Sequence, residues 1–213
     1  MAVLLVAGTV LGVVRTRRHR PTLGQGERFG VDVSRHQGTV DWKRVVRDEI
    51  HFAYIKATEG GDFVDDHFAE NWQRARDAGL ERGAYHFFTL CRPGADQADN
   101  FLRTVPADAS ALPPAVDLEL VGNCSARPPR DAVLGELHAF VGRVEAETGK
   151  KLVLYVLGDF EAEYGVLAAL DRPLWVPSLL HRPEAAWQVW QVDAEAKVAG
   201  IEGSVDLDVM KDP

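Results

Sequence analysis

From Phe29 onward, short runs rich in Val, Ile, Phe, Tyr and Trp alternate with amphipathic stretches, and this alternation limits the fold more than any other feature. The apolar runs read as strands at 29–34, 52–58, 82–88, 115–120, 152–157, 174–178 and 187–192, with an eighth at 205–209. Helix-like segments lie between them at 41–46, 66–78, 96–105, 130–148 and roughly 160–170; Gly79 and Pro106 stop the second and third. Within 130–148, Val133, Leu134, Leu137, Phe140, Val141 and Val144 recur at helical spacing, and Gly149 follows. Strands alternating with helices predict a parallel sheet with crossover helices. A full (β/α)₈ barrel takes ~250 residues, more than follow Phe29, and the late strands leave no room for helices between them. The expected fold class is α/β, an irregular (β/α) TIM-like barrel with abbreviated late helices.

The 213 residues are 46% hydrophobic and 26% charged, which fits one soluble domain with a substantial core and excludes a largely disordered chain. A net charge of −8 argues against a general nucleic-acid binder. Arg15, Arg17, Arg18 and Arg20 cluster beside His19, and removing those four charges leaves the rest at −12. Before the cluster, residues 2–14 form a continuous run of apolar residues, Gly and one Thr. The run is short of the ~20 residues that span a bilayer and matches a signal-peptide core in length. No basic residue precedes it, no A-x-A site is apparent before Pro21, and the positive charge follows it, which disfavours export of what comes after. Residues 1–20 are read as a signal-anchor-like segment, for which a true start upstream is one explanation, with a buried helix as the alternative. Residues 21–28 read as a Gly-rich, polar linker and 29–213 as the main domain. An exported, periplasmic or cell-envelope location, N-terminal membrane attachment and a monomer are expected.

Cys91 and Cys124 sit in loop-like stretches, and their spacing fits no zinc pattern. In an exported domain they would form a bridge; in a cytosolic one, two reduced thiols.

In a parallel barrel, chemistry is built where strands end. Asp32 falls in the first strand, Asp117 and Glu119 follow Leu112-Pro113-Pro114-Ala115-Val116, and Asp206 and Asp208 fall in the last strand. Residues i and i+2 of a strand share a face, so Asp117 and Glu119 are expected to point into the barrel, and Val116 and Leu118 towards the helices. Two carboxyls in a partly dry pocket raise at least one pKa, and a carboxylic acid then stays protonated near neutral pH. Glycoside hydrolysis needs such an acid for the departing oxygen and a second group for the anomeric centre. The bland alternative is an acidic pair on a solvated loop, and Asp32, Asp206 and Asp208 could equally be caps or buried hydrogen-bonded groups. His36 and His86 have no H-E-x-x-H or H-x-H spacing, so a pocket or core histidine is favoured over a metal ligand. A nucleophile elbow, a P-loop and a Rossmann fingerprint are all missing from the sequence, which argues against acyl transfer and nucleotide chemistry. No cofactor or metal is expected. The aromatic residues Tyr85, Phe87, Phe88, Tyr155, Trp175, Trp187 and Trp190 are mostly core, and those at strand ends could stack on sugar rings.

Phe29-Gly30-Val31-Asp32-Val33-Ser34-Arg35-His36-Gln37-Gly38 with Asp41-Trp42 resembles the opening of glycoside hydrolase family 25, the Chalaropsis-type lysozymes or N-acetylmuramidases. Tyr54-Ile55-Lys56-Ala57-Thr58-Glu59-Gly60, the stretches 79–88 and 112–119, and Gly200-Ile201-Glu202-Gly203-Ser204-Val205-Asp206 are similar to further family blocks, in the same order. The neighbourhoods of Cys91 and Cys124 look like those of Gram-negative members. The resemblance implies an irregular barrel that cleaves the β-1,4 bond between N-acetylmuramic acid and N-acetylglucosamine in peptidoglycan glycan strands. By position Glu119 matches the proton donor, Asp117 the partner carboxylate that orients or polarises the substrate's 2-acetamido group, and Asp32 and Asp206 two further acidic residues. Tyr85, His86, Tyr155, Trp175 and Trp190 are the residues expected to contact substrate. The sequence departs from the family pattern at Leu179 and Met210, where aromatic residues are usual, at Asp208 in place of Asn, and at Arg35-His36 in place of a His pair; Leu179 and Met210 are expected to alter sugar stacking. Two other readings compete. A chitin-type glycosidase with D-x-x-D-x-D-x-E needs Asp where Ala115 stands, and a non-catalytic wall-binding barrel would not require the four acids.

Overall fold

The computed structural model describes residues 20–179, 181–184 and 186–212, so the apolar run at 2–14 lies outside the described residues. The strands are β1 (Glu27–Val33), β2 (Ile50–Glu59), β3 (Phe63–Val64), β4 (Glu81–Phe87), β5 (Ala115–Leu118), β6 (Val153–Val156), β7 (Leu174–Pro177), β8 (Val189–Ala196) and β9 (Val205–Lys211). The helices are α1 (Trp42–Arg47), α2 (Phe68–Asp77), α3 (Gly94–Thr104), α4 (Arg130–Thr148), α5 (Gly158–Tyr164) and α6 (Val166–Ala169). The strands pair in the order β1-β9-β8-β7-β6-β5-β4-β2, and β1 pairs again with β2, closing an eight-stranded barrel. The two-residue β3 hangs on the end of β2 as an antiparallel hairpin partner.

The expectation of a parallel sheet needs one correction: β9 runs antiparallel to both of its neighbours, β1 and β8. The reason is chain length. The segment 197–204 joins β8 to β9, whereas a parallel return needs about a dozen residues or more. The segment read as one helix over 160–170 breaks at Gly165, whose left-handed backbone (φ 56°) ends α5 before α6 begins. β1 starts at Glu27, inside the stretch read as a linker. Just upstream, Arg20 is tied to Asp48, and Leu23 packs against the core.

Two layers of apolar side chains follow from the period-two alternation. Phe52, Tyr54, Ala115, Val153, Trp175, Val189 and Met210 fill the barrel. The opposite faces of the strands, Val31, Ile55, Val116, Leu118 and Leu154 among them, pack against the helices in a larger outer core. The predicted stripe of α4 is buried there in full, and the helix ends at Gly149 in a left-handed conformation.

Cys91 and Cys124 are disulfide-bonded, which joins the loop after β4 to the loop after β5 across a separation of 33 residues. Closing a loop of that length is worth about 4 kcal/mol in chain entropy. Replacing both cysteines by serine should lower the unfolding free energy by about that amount in a denaturant titration. A loss below about 1 kcal/mol would mean that the two loops hold each other by packing alone.

Candidate active site

Inward-facing side chains converge on a small cleft at one end of the barrel, where the parallel strands run towards their C-termini and the antiparallel β9 begins. β1 brings Asp32, β4 Tyr85, β5 Asp117 with Glu119 one residue beyond its end, β6 Tyr155, β7 Trp175, β8 Gln191 and β9 Asp206. The cleft encloses about 80 Å³. In the strand order, β9 lies diametrically across the barrel from β5. Asp32 and Asp206 are cross-strand partners on β1 and β9, so two acidic walls face each other, one of them carrying Asp117 and Glu119.

The electrostatics follow from burial. Asp117 and Glu119 lie close enough for one carboxyl to donate to the other if it carries a proton, and Asp32 lies as close to both Asp206 and Asp208. Two carboxyl groups can form such a bond only when one of them keeps a proton. Burial pushes Asp117 well above the usual carboxylate range, and the charge of Glu119 pushes it further, while Lys56 opposes. Glu119 is also raised, chiefly by burial, against the hydrogen bond with Asp117 and the charge of Lys56. Asp32 is raised well above its usual value by burial and then by Asp206, Asp208 and Asp117. Asp206 is raised to about 7, again mainly by burial, with its bond to Asp32 pulling the other way. Burial therefore biases the site towards its protonated forms, which is the condition for supplying a proton.

Three residues that the sequence did not single out complete the site. Lys56, inward-facing on β2, is ion-paired with Glu59 at 2.8 Å and lies 4.8 Å from the Phe87 ring centroid. Gln191 accepts from the Tyr155 hydroxyl at 2.9 Å. The Asn123 side chain donates to the carbonyls of Glu119 (3.0 Å) and Phe88 (2.8 Å) and accepts from the N–H groups of Leu90 and Cys124. It thereby ties the backbone at Glu119 to the disulfide-bridged loops. The period-two count from Phe52 and Tyr54 could have placed Lys56 inside; Asn123 carried no signal, because its bonds to Phe88 and Leu90 join positions distant in the chain.

Tyr85, Tyr155 and Trp175 line the cleft, with Trp175 buried at its base. His86 and Trp190 do not reach it, which corrects their assignment to substrate. Each sits one residue out of phase with an inward position and points into the outer core. His86 is 0% exposed, stacks on Phe140 of α4 at 4.7 Å, and its ring nitrogens bond Thr58 and Gln97. Trp190 is 2% exposed, packs on Trp187 and donates its indole N–H to the Ser178 carbonyl. Met210 belongs to the packed interior of the barrel rather than to a sugar-stacking surface, whereas Leu179 is 52% exposed beyond β7. A larger cavity of about 360 Å³ lies near the N-terminal ends of β5 and β6, against α3 and the 106–114 loop. Its lysine, Lys150, is bound to the carbonyls of Asp108, Ala109 and Ala111. The chemistry is thus concentrated in the smaller cleft.

Comparison with known proteins agrees with this geometry. The sequence profile described as "Glycosyl hydrolases family 25" matches residues 31–201. The chain is similar to the protein YegX of Escherichia coli O157:H7, 40% identical over 189 residues, covering 84% of this chain and 68% of YegX. It is similar to Lysozyme M1 of Streptomyces globisporus, 34% identical over 200 residues, covering 83% of this chain and 65% of that protein. Among solved structures, a family 25 glycosyl hydrolase from Bacillus anthracis superposes with a TM-score of 0.83 at 35% identity, covering 92% of this chain and 94% of the other.

The burial of His86 generates a prediction. Its pKa is lowered from 6.5 to about 3, chiefly by desolvation. A histidine kept neutral in the fold contributes stability that is complete above its unfolded pKa and is lost as pH falls below it. Between pH 6.5 and 4, the wild-type protein should lose about 1.4 kcal/mol per pH unit relative to His86→Gln. Thermal or denaturant unfolding across that range checks it; a difference independent of pH would contradict a buried neutral imidazole.

Proposed function

The chain belongs to glycosyl hydrolases family 25, and from that premise we propose that it is a muramidase whose acid is Glu119. Its substrate is the glycan strand of peptidoglycan, and the bond cleaved is the β-1,4 linkage from N-acetylmuramic acid to N-acetylglucosamine. The observation that carries the reading is the adjacent Asp117/Glu119 pair at the end of β5, lifted by burial and facing Asp32 and Asp206 across the cleft. Such a pair retains a proton at the pH where a cell wall is met, which is what an oxygen leaving group requires.

In the reaction the C1–O bond of the muramic residue breaks, and Glu119 donates its proton to the departing oxygen. The oxygen of one water molecule ends on C1, and a proton from that water restores the acid. Charge on the anomeric centre becomes positive as the bond breaks, and the acidic walls stabilise it. Asp117 serves Glu119 directly: the bond between them aims the proton, and Lys56 keeps the pair from holding it too tightly. The flat faces of Tyr85 and Tyr155 supply surfaces for the C–H faces of the sugars.

The location follows from the substrate. The protein acts outside the cytoplasmic membrane, and a disulfide joining the two loops that flank Glu119 suits an oxidising compartment. Among the described residues no helix is long and apolar enough to cross a membrane. Attachment, in this reading, falls to the apolar run at 2–14 with its basic flank.

Purified protein given peptidoglycan should release fragments whose new reducing ends are muramic acid, as read by mass spectrometry. Glucosamine ends would instead make it a glucosaminidase. Glu119→Gln should lower kcat by about 10³-fold while leaving KM and the thermal midpoint nearly unchanged. Activity within about tenfold of wild type would remove Glu119 as the acid.

A further inference from the structure

Asp208 is a carboxyl of the interior cluster that the reaction above leaves unused. It is 0% exposed on β9, one inward position below Asp206, paired across the sheet with Gly30 of β1 and Gln191 of β8. Because Gly30 has no side chain, nothing on β1 stands between Asp208 and Asp32, the next inward residue. The Phe52 ring fills the remaining space, since a Cβ at Gly30 would come within 2.2 Å of it. One oxygen of Asp208, Oδ1, accepts the indole N–H of Trp175 at 2.9 Å. The other, Oδ2, is buried with no donor, and so is Oδ2 of Asp32. The β1–β9 register sets the two side chains side by side, Asp208 opposite Gly30 and Asp32 opposite Asp206, and each charge acts on the other.

The charges around Asp208 offer no other remedy. Its own strand presents Asp206, β1 presents Asp32, β8 the neutral Gln191 and β7 the Trp175 indole. Tyr54 of β2 directs its hydroxyl to the Pro113 carbonyl. Lys56 is committed to Glu59, and Arg28 to Glu81 and Asp212. Two neighbouring carboxyl groups, each with an orphaned buried oxygen and neither paired with a cation, call for one proton between them.

We propose that Asp208 is a positioning residue: it and Asp32 share one carboxyl proton in an O–H···O bond that satisfies both orphaned oxygens and fixes Asp32 at the side of the cleft as half of a singly charged pair. The pairing depends on the muramidase reading only for its catalytic consequence, so one arm of its test needs no substrate. Asp208→Asn offers an amide N–H to Asp32 and a carbonyl to Trp175, so it keeps both bonds without the proton.

In the first arm, the infrared difference spectrum between wild type and Asp208→Asn at neutral pH should contain a carboxylic-acid C=O band on the wild-type side. A proton held in the fold above the unfolded carboxyl pKa gives stability that is complete below about pH 4 and lost as pH rises. Asp208→Asn should therefore gain thermal midpoint on wild type as the pH rises above about 4. In the second arm, Asp208→Asn should keep kcat within about threefold, whereas Asp208→Leu, which strands the Trp175 N–H and Asp32, should lose about 10- to 100-fold in kcat with little change in KM. A difference spectrum holding only carboxylate bands, a stability difference flat in pH, or full kcat in Asp208→Leu would each overturn the pairing. If the first arm succeeds while neither wild type nor variant cleaves peptidoglycan, the pairing stands and the muramidase reading fails.

Discussion

The site depends on one constraint: carboxyl groups are gathered inside a closed sheet, where their contact with water is restricted to one small cleft. An ionised carboxylate brought into such a place without a counter-charge costs several kcal/mol, so it neutralises or shares a proton instead. Asp32, Asp117 and Asp208 are all pushed well above their usual range by burial before any neighbour acts. Barrel closure is what imposes this. With β9 pairing to β1 on one side and β8 on the other, no sheet edge remains through which water could reach Asp208. The proton store of the cleft is thus a property of the fold rather than of a single residue.

The outer layer makes the inner one rigid. Each strand that offers a carboxyl or an aromatic ring to the cleft presents the adjacent residue to the helices. Tyr85 faces in while His86 is clamped by Thr58, Gln97 and Phe140; Asp117 faces in while Val116 and Leu118 are sealed against the outer core. Glu119 lies past the end of β5, where ladder bonds no longer hold the chain, and there the Asn123 side chain and the neighbouring disulfide take over. A half-buried acid on an otherwise free loop end would wander; this one is tied at its own carbonyl.

Much of this was legible in the sequence, for physical reasons that also mark the limit. Eight barrel strands show in the apolar runs because half-buried strands must be rich in large β-formers, and α4 shows because its buried stripe keeps helical phase. The inward turn of Asp117 and Glu119 follows from period two alone. The direction of β9 was misread because apolar runs carry no polarity; only the short 197–204 connection does. His86 and Trp190 were misassigned for a related reason: residue type marked them as sugar contacts, while their phase, one step from Tyr85 and Gln191, turns them to the helices. The bonds of Asn123 to Phe88 and Leu90 and the juxtaposition of Asp32 with Asp208 were out of reach, since each joins positions distant in the chain.

The central claim is that the acid on β5 and the carboxyls on β1 and β9 act from opposite sides on one glycosidic bond. A crystal structure of the Glu119→Gln protein with a bound peptidoglycan glycan fragment tests it most directly. The account predicts the glycosidic oxygen within about 3 Å of the residue 119 side chain, with the muramic ring between the two acidic walls. A glycan bound with that oxygen beyond reach of residue 119, or seated in the cavity at the far end of the strands, would contradict it.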